Sequence, residues 1–212
     1  MHVLKGKSSS NRLLIHELSA YLKKIHSELL IVFASNRTGI PYWLLGSFAE
    51  TAALSASTPV LVIKPHTKGL SFSRTPRFTV AVDPQKQVSK EHINYILRFA
   101  RPADAQIDLV GVKKIQKALL GKIRKQKTES APLSHLKDAE RELTRAGLKV
   151  NLELLPESKS IPETVVKYSE TKKSWGILCP STIDRSGSDL LLGSTSRKIL
   201  TLTKRPFLAV RL

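Results

Sequence analysis

The chain repeats part of its own sequence at a fixed distance. Leu-Leu-Gly-Ser at residues 44–47 recurs at residues 191–194, and Pro-Val-Leu-Val-Ile-Lys at residues 59–64 recurs in character as Pro-Phe-Leu-Ala-Val-Arg at residues 206–211. Both pairs are 147 positions apart (191 − 44 and 206 − 59). A repeat limits the fold more than length does, because each copy must form the same kind of structural unit. The sequence therefore predicts two related units that end in the same way.

The second unit alternates short apolar runs with longer amphipathic segments, which is typical of parallel strands covered by helices. Five strands are predicted, at residues 78–82, 107–112, 150–155, 175–179 and 207–212. Four helices are predicted, at residues 89–100, 133–146, 161–171 and 191–203. Gly147 suits a left-handed cap at the end of the second of these helices. The predicted fold class is α/β, an open doubly wound parallel sheet of five strands.

The first unit contains only the last part of this pattern. Strands are predicted at residues 2–4, 29–33 and 60–63, and helices at residues 11–25 and 45–56. Counterparts of two strands and two helices are missing, and half a sheet has exposed strand edges that need a partner. We therefore predict a half domain at residues 1–66, a linker at residues 67–76 and a complete domain at residues 77–212. The missing half is either a biological feature or the result of a misplaced start codon.

Charge and cysteine content narrow the choice of partners and compartment. Lysine and arginine number 35 against 17 acidic residues, a formal net charge of +18 that favours anionic partners. The single cysteine, Cys179, excludes an intramolecular disulfide and fits a reducing compartment. No stretch reaches the roughly 18 apolar residues of a membrane-spanning helix, and no apolar signal core follows Met1. The expected location is cytoplasmic.

Several short motifs of the second unit resemble the universal stress protein family. They are Phe-Thr-Val-Ala-Val-Asp at residues 78–83, Leu-Val-Gly-Val at 109–112, Ala-Gly-Leu-Lys-Val at 146–150, and the two motifs that end the unit. Their order and spacing carry a resemblance that covers nearly all of residues 77–212. Residues 1–66 resemble the second half of the same domain. The resemblance implies a Rossmann-like fold of the adenine nucleotide alpha hydrolase type, in a tandem protein whose first domain is incomplete at its N-terminus.

The resemblance also implies where a nucleotide would bind. In nucleotide-binding members an acidic residue ends the first strand, and a Gly-x-x-Gly-x9-Gly-Ser/Thr loop holds the phosphates before the last helix. Glycine lets the backbone approach the phosphates closely, and the helix N-terminus faces the anion. The residues that match the family's ligand-contacting positions are Asp83, Val112, Gly193 and Ser194.

This sequence departs from the family pattern at the other site positions. Pro180 and Ile183 stand where the loop has its first two glycines, and Pro84 follows Asp83 where a small residue is common. Proline has no amide to donate and isoleucine resists positive φ, so the phosphate loop is degenerate. Each matching residue also has a structural explanation. Asp83 would cap a turn, Val112 would belong to the core, Gly193 would permit helix packing and Ser194 would cap the last helix. We expect no cofactor; the alternative is an ATP- or AMP-binding switch or weak ATPase centred on Asp83 and Ser194.

No set of residues in the sequence points to catalysis or to a metal. The six histidines are scattered without metal-ligand spacing, and Cys179 lies in an apolar strand as expected of a buried structural thiol. The sequence therefore predicts no catalytic residues and no metal site.

A strongly basic segment begins at Lys113 and ends at Lys127. Seven of its fifteen residues are lysine or arginine and none is acidic. As a helix it would place Ile115, Leu119 and Ile123 on an apolar face opposite the lysines, an arrangement suited to nucleic acid, an anionic membrane surface or an acidic protein. The simpler interpretation is a solvated insertion, because no aromatic residues are interleaved for base stacking.

Together these features predict a non-enzymatic stress-response or regulatory module that acts through domain pairing or dimerisation. In the family the last strand often pairs with the last strand of a second domain. The resemblance therefore implies that the strand Val60–Ile63 pairs with the strand from Phe207 to Leu212, either within one chain or through a homodimer.

Overall fold

The computed structural model describes residues 10–34, 47–65, 67, 75–113, 131–181 and 193–211. Several predicted features lie outside this part of the chain. They are the strand at residues 2–4, most of the linker at 67–76, the basic segment after Lys113, and the residues Ile183, Leu191 and Leu192. The described elements, in chain order, are α1 (Asn11–Lys24), β1 (Leu30–Phe33), α2 (Ser47–Ser55), β2 (Val60–Ile63), β3 (Arg77–Val82), α3 (Lys90–Ala100), a 3₁₀ turn (Arg101–Ala103), β4 (Gln106–Lys113), α4 (Ala131–Arg145), β5 (Lys149–Pro156), α5 (Ile161–Thr171), β6 (Gly176–Ser181), α6 (Ser194–Leu202) and β7 (Phe207–Arg211).

The chain folds into two compact units. Unit 1 comprises Met1–Leu70 together with Leu178–Leu212, and unit 2 comprises Ser71–Ile177. The boundary between the units falls within the residues of β6, after Ile177. Each unit alternates strands and helices, and the described strand pairs are parallel except for β2 with β7. This arrangement confirms the predicted open, Rossmann-like α/β fold class.

Unit 2 is built on a parallel sheet in which β4 lies between β3 and β5. The start of β6 lies on the other side of β3, where the Trp175 N–H donates to the Arg77 carbonyl oxygen at 2.6 Å. Residues 107–112 of β4 are buried on both faces, because α4 packs on one face and α5 on the other. Phe78 at the start of β3 makes edge-to-face contacts with Phe99 and Trp175, with ring centroids 5.1 and 5.2 Å apart.

The helices of unit 2 follow the apolar periodicity of the sequence. In α3 the buried side chains include Ile93, Ile96 and Ala100, at helical spacing. The side chain of Ser89 caps its N-terminus by accepting a hydrogen bond from the His92 N–H. Helix α4 ends before Gly147, whose φ of +91° is the left-handed conformation that the sequence predicts there.

Unit 1 contains two short strands that run side by side and a third that runs against them. Strand β1 pairs in parallel with β2, and β2 pairs antiparallel with β7. The later residues of β6 follow as the next neighbour of β7. Helix α2 packs against α1 and against β1 and β2. The side chains of Val60, Leu61 and Val62 in β2 are all buried, so this strand is central to the core of unit 1.

In the described ranges, no helix is long and apolar enough to cross a membrane.

Candidate functional site

Asp83 directly follows β3 and is exposed. Its Oδ1 accepts a hydrogen bond from the Gln85 N–H at 3.0 Å, and its carbonyl oxygen accepts one from the Lys86 N–H at 3.0 Å. One carboxylate oxygen therefore stabilises the turn that follows the strand. The structure thus gives Asp83 the turn-capping role that was one of the two interpretations of this residue.

Pro84 turns back into the interior beside β4. It is buried, and a Cβ added to Gly111 would lie 3.2 Å from the Cβ of Pro84, 2.9 Å from Leu136 Cδ1 and 3.3 Å from Leu154 Cδ1. The next residue of β4, Val112, is 4% exposed. The carboxyl ends of β3 and β4 are therefore closely packed with apolar side chains around Gly111.

Gly193 and Ser194 form the N-terminus of α6. Gly193 is the N-cap residue, with φ −54° and ψ 151°, and its carbonyl oxygen accepts the Arg197 N–H at 3.0 Å. Among the described residues, its chain neighbours aside, no atom lies within 4 Å of a Cβ added to Gly193, and its φ is one that any residue adopts. Ser194 is the first helical residue and is exposed. Upstream, Pro180 lies within β6 and offers no amide to a phosphate.

The four residues fall into two pairs. Asp83 and Val112 lie in unit 2, at the ends of neighbouring strands in which Val82 is in register with Gly111. Gly193 and Ser194 lie in unit 1, next to each other at the start of one helix.

The sequence does not reveal a polar cluster that the structure places inside unit 2. The Asp108 carboxylate is completely buried, and Arg77 Nη1 donates to both of its oxygens at 3.2 Å. Thr79, in register with Asp108 on the next strand, shares a 2.8 Å hydrogen bond with Ser174. Burial, and after it the charge of Asp108, raises the pKa of the Tyr168 hydroxyl. The one hint of this cluster in the sequence is the acidic residue Asp108 within the apolar run of β4.

Strands β2 (Val60–Ile63) and β7 (Phe207–Arg211) pair edge to edge, and we call this pairing the seam. A second set of polar contacts surrounds it. The register places Val60 opposite Ala209, Leu61 opposite Leu208 and Val62 opposite Phe207. These are the strands for which the sequence predicts pairing. The contact between Glu50 of α2 and Arg197 of α6 was not foreseen: Arg197 Nη2 lies 2.6 Å from Glu50 Oε1, and Nε donates to the same oxygen at 2.7 Å.

Lys64, the residue after β2, holds the end of α6. Its Nζ donates to the carbonyl oxygens of Thr201 and Thr203, each at 2.9 Å. These carbonyls lie at the C-terminus of α6, where a cation is favoured by the helix dipole. Burial opposes that charge and lowers the pKa of the Lys64 ammonium to about 8.

Cys179 is buried in β6, and burial raises the pKa of its thiol to about 12, with a smaller opposing effect from a hydrogen bond to Ser196. A thiol of this kind is protonated at neutral pH and unreactive. Within the ranges that the structure describes, no group of three or more His, Cys, Asp or Glu residues is placed to hold a metal ion.

The fold and the local geometry place the chain among open, Rossmann-like α/β proteins. Its described strands are mostly parallel and include the antiparallel seam. The family model for the universal stress protein family matches residues 75–211. The chain belongs to the universal stress protein family, which confirms the resemblance seen in its motifs. The match begins near the predicted start of the second unit.

Solved structures show the same fold. A universal stress protein from Archaeoglobus fulgidus superposes with a TM-score of 0.68 at 16% identity, over 93% of this chain and 66% of that one. A Pseudomonas aeruginosa protein named as a universal stress protein gives 0.63 at 17% identity, and a second protein of that organism, of unknown function, gives 0.59 at 18% identity. Each of these two matches covers 97% of this chain and 69% of the other. The chain thus spans about two thirds of these structures. No curated protein matches it.

Proposed function

We propose that the chain is a non-enzymatic regulatory module of the stress-response type, located in the cytoplasm, which acts by pairing a half domain at residues 1–66 with a complete domain at residues 77–212. The observation that carries the proposal is the antiparallel register of the seam, in which Leu61 lies opposite Leu208. A strand edge paired in this way contributes main-chain hydrogen bonds and apolar burial together. Regulation would then depend on whether this pairing is closed or open.

Two features support a degenerate nucleotide site. Pro84 is packed against Gly111, and Pro180 lacks the amide that a phosphate loop uses. A phosphate can approach the backbone closely only where glycines leave it uncovered, and neither position has such a backbone. We therefore propose that the module works without a nucleotide, a metal or a catalytic residue.

The pairing is tested by replacing Val62 with proline. Val62 is buried between β1 and β7, and proline removes a ladder N–H from a central strand, so we expect the seam to open. The measurement is limited proteolysis of the full chain, with cleavage in residues 67–76 followed by mass spectrometry. Val62→Ala, which keeps the N–H, is the matched control and should be cut far more slowly. Equal digestion of wild type and Val62→Pro would contradict the pairing.

The second candidate is a nucleotide-binding switch or weak ATPase centred on Asp83 and Ser194. The exposed Asp83 carboxylate and the exposed residues Gly193 and Ser194 at the N-terminus of α6 favour it. Calorimetric titration with ATP and magnesium, and separately with AMP, distinguishes the two functions. Our proposal expects no heat and no thermal shift at millimolar ligand. Binding that disappears in Asp83→Ala would establish the alternative instead.

A further inference from the structure

The seam is organised around a local twofold axis. The repeat relates each residue of the first unit to the residue 147 positions later, which makes Leu208 the counterpart of Leu61. The register places these same two residues opposite each other in the antiparallel pair. A residue that lies opposite its own counterpart sits on the symmetry axis of the pairing. The axis therefore passes between Leu61 and Leu208.

Glu50 and Arg197 are a second pair of counterparts on this axis. They too are 147 positions apart (197 − 50) and are in direct contact, with Arg197 Nη2 and Nε 2.6 and 2.7 Å from Glu50 Oε1. The side chain of Glu50 is 28% exposed and that of Arg197 is 58% exposed. Where the two leucines are identical, these two counterparts have opposite charges.

Symmetry makes this difference selective. In a pairing of two identical halves, a residue on the axis faces its own copy. Two copies of β7 with α6 would set Arg197 against Arg197, and two copies of β2 with α2 would set Glu50 against Glu50. Like charges in contact are unfavourable, whereas the unlike pairing brings carboxylate and guanidinium together.

We propose that Glu50 and Arg197 select the pairing of unlike halves, so that the surface formed by α2 and β2 accepts α6 and β7 of its own chain and rejects a second copy of itself. The inference rests on the domain pairing proposed above and names the partner that this pairing takes.

The test is a charge-swap cycle on the full chain. Glu50→Arg and Arg197→Glu each place like charges on the axis, and the double variant restores the attraction with its direction reversed. Hydrogen exchange of the amides that β2 and β7 donate to each other reports opening of the seam. At low salt we expect exchange about three- to tenfold faster in each single variant, in keeping with the modest strength of partly exposed ion pairs, and within about twofold of wild type in the double variant.

Two further sets of variants make the cycle decisive. Reversal of the exposed Asp138–Arg141 pair in α4, whose closest nitrogen and oxygen are 3.6 Å apart, is the matched control and should leave exchange in β2 and β7 unchanged. Glu50→Gln and Arg197→Gln remove the attraction without adding repulsion and should give smaller increases. They keep the test valid where a charge reversal prevents folding.

The proposal is overturned if the single variants exchange like wild type, or if the double variant is as fast as the singles. It is equally overturned if protection of the β7 amides in wild type rises with protein concentration, since like chains would then pair through β7. Failure of the domain pairing itself looks different: the amides that face the seam in β2 and β7 would exchange rapidly in wild type and in every variant alike.

Discussion

At the scale of single residues, Asp108 carries a carboxylate into the interior of unit 2. Its side chain is completely buried in β4, and Arg77, which is 30% exposed, supplies the guanidinium that contacts both of its oxygens. A buried ion pair contributes little net stability, but removing one partner leaves an uncompensated charge in a medium of low dielectric constant. Replacing one residue of the pair is therefore expected to destabilise the fold more than replacing both with apolar residues.

Replacing Arg77 with methionine should lower the free energy of unfolding by about 2–3 kcal/mol, because the Asp108 carboxylate is left without its counter-charge. Urea denaturation followed by circular dichroism measures the change. Asp108→Leu combined with Arg77→Met removes both charges and should cost clearly less than Arg77→Met alone. A double variant as unstable as the sum of its single changes would show that the two residues contribute to stability independently.

Lys64 should make unfolding depend on pH in the alkaline range. Its pKa is about 8 in the folded chain and near 10.5 when exposed, so between these values the unfolded chain binds more protons. The free energy of unfolding contributed by this group therefore rises as pH increases from 8 to 10.5, and the contribution is absent below pH 8. Lys64→Met should abolish this rise, which amounts to about 3 kcal/mol for a pKa lowered from 10.5 to about 8. Parallel stability curves for wild type and Lys64→Met over this range would contradict the assignment.

At the scale of elements, the contact of β4 with α4 depends on the absence of a side chain at Gly111. Gly111→Ala should lower the free energy of unfolding by about 1–2 kcal/mol, since its Cβ would lie 2.9 Å from Leu136 and 3.2 Å from Pro84. Gly193→Ala is the matched control: its φ is −54° and no described atom lies within 4 Å of the added Cβ, so the change should cost only the poorer N-cap of alanine, about 0.5–1 kcal/mol. Equal destabilisation of both variants, measured by urea denaturation, would exclude close packing as the cause.

The elements themselves were largely predictable because local periodicity determines them. The buried positions of α3 and the stop of α4 at Gly147 follow from spacing and from glycine's tolerance of positive φ. The acid of β4 was visible in the sequence, but its partner Arg77 lies 31 residues away and is located only by the register of β3 with β4. The same limit holds for Lys64, whose carbonyl partners are 137 and 139 residues distant.

For the candidate site, the sequence proposes residues but does not give their geometry. The motifs identified Asp83, Val112, Gly193 and Ser194, yet the turn that uses the Asp83 carboxylate and the packing of Pro84 on Gly111 depend on tertiary structure. The repeat and the family resemblance pointed to β2 and β7 as partners. The register that sets Glu50 against Arg197 required coordinates, because a shift of two residues would preserve the same apolar pattern.

At the scale of the whole molecule, the chain carries a formal charge of +18. Basic residues occur along its whole length, and they are densest between Lys113 and Lys127. Lys113 ends β4 and is exposed, and the rest of that segment lies outside the described residues. A diffuse positive field and a local basic segment both retain polyanions, and both lose affinity as salt is added. Removing the same number of charges from different places distinguishes them. Binding through a diffuse field depends only on how many charges are removed, whereas binding through the basic segment also depends on where they are removed.

Neutralising four lysines of the basic segment should therefore reduce polyanion binding more than neutralising four others. The first variant changes Lys113, Lys114, Lys117 and Lys122 to glutamine; its control, with the same net charge, changes the exposed Lys23, Lys24, Lys90 and Lys137. On a heparin column and in salt titrations with duplex DNA, the first variant should elute at lower salt. Its slope of log affinity against log salt should also be smaller, by roughly one for each phosphate that the protein no longer neutralises. Equal elution of the two variants would assign retention to net charge alone, and retention of wild type that does not weaken with salt would exclude an electrostatic mechanism.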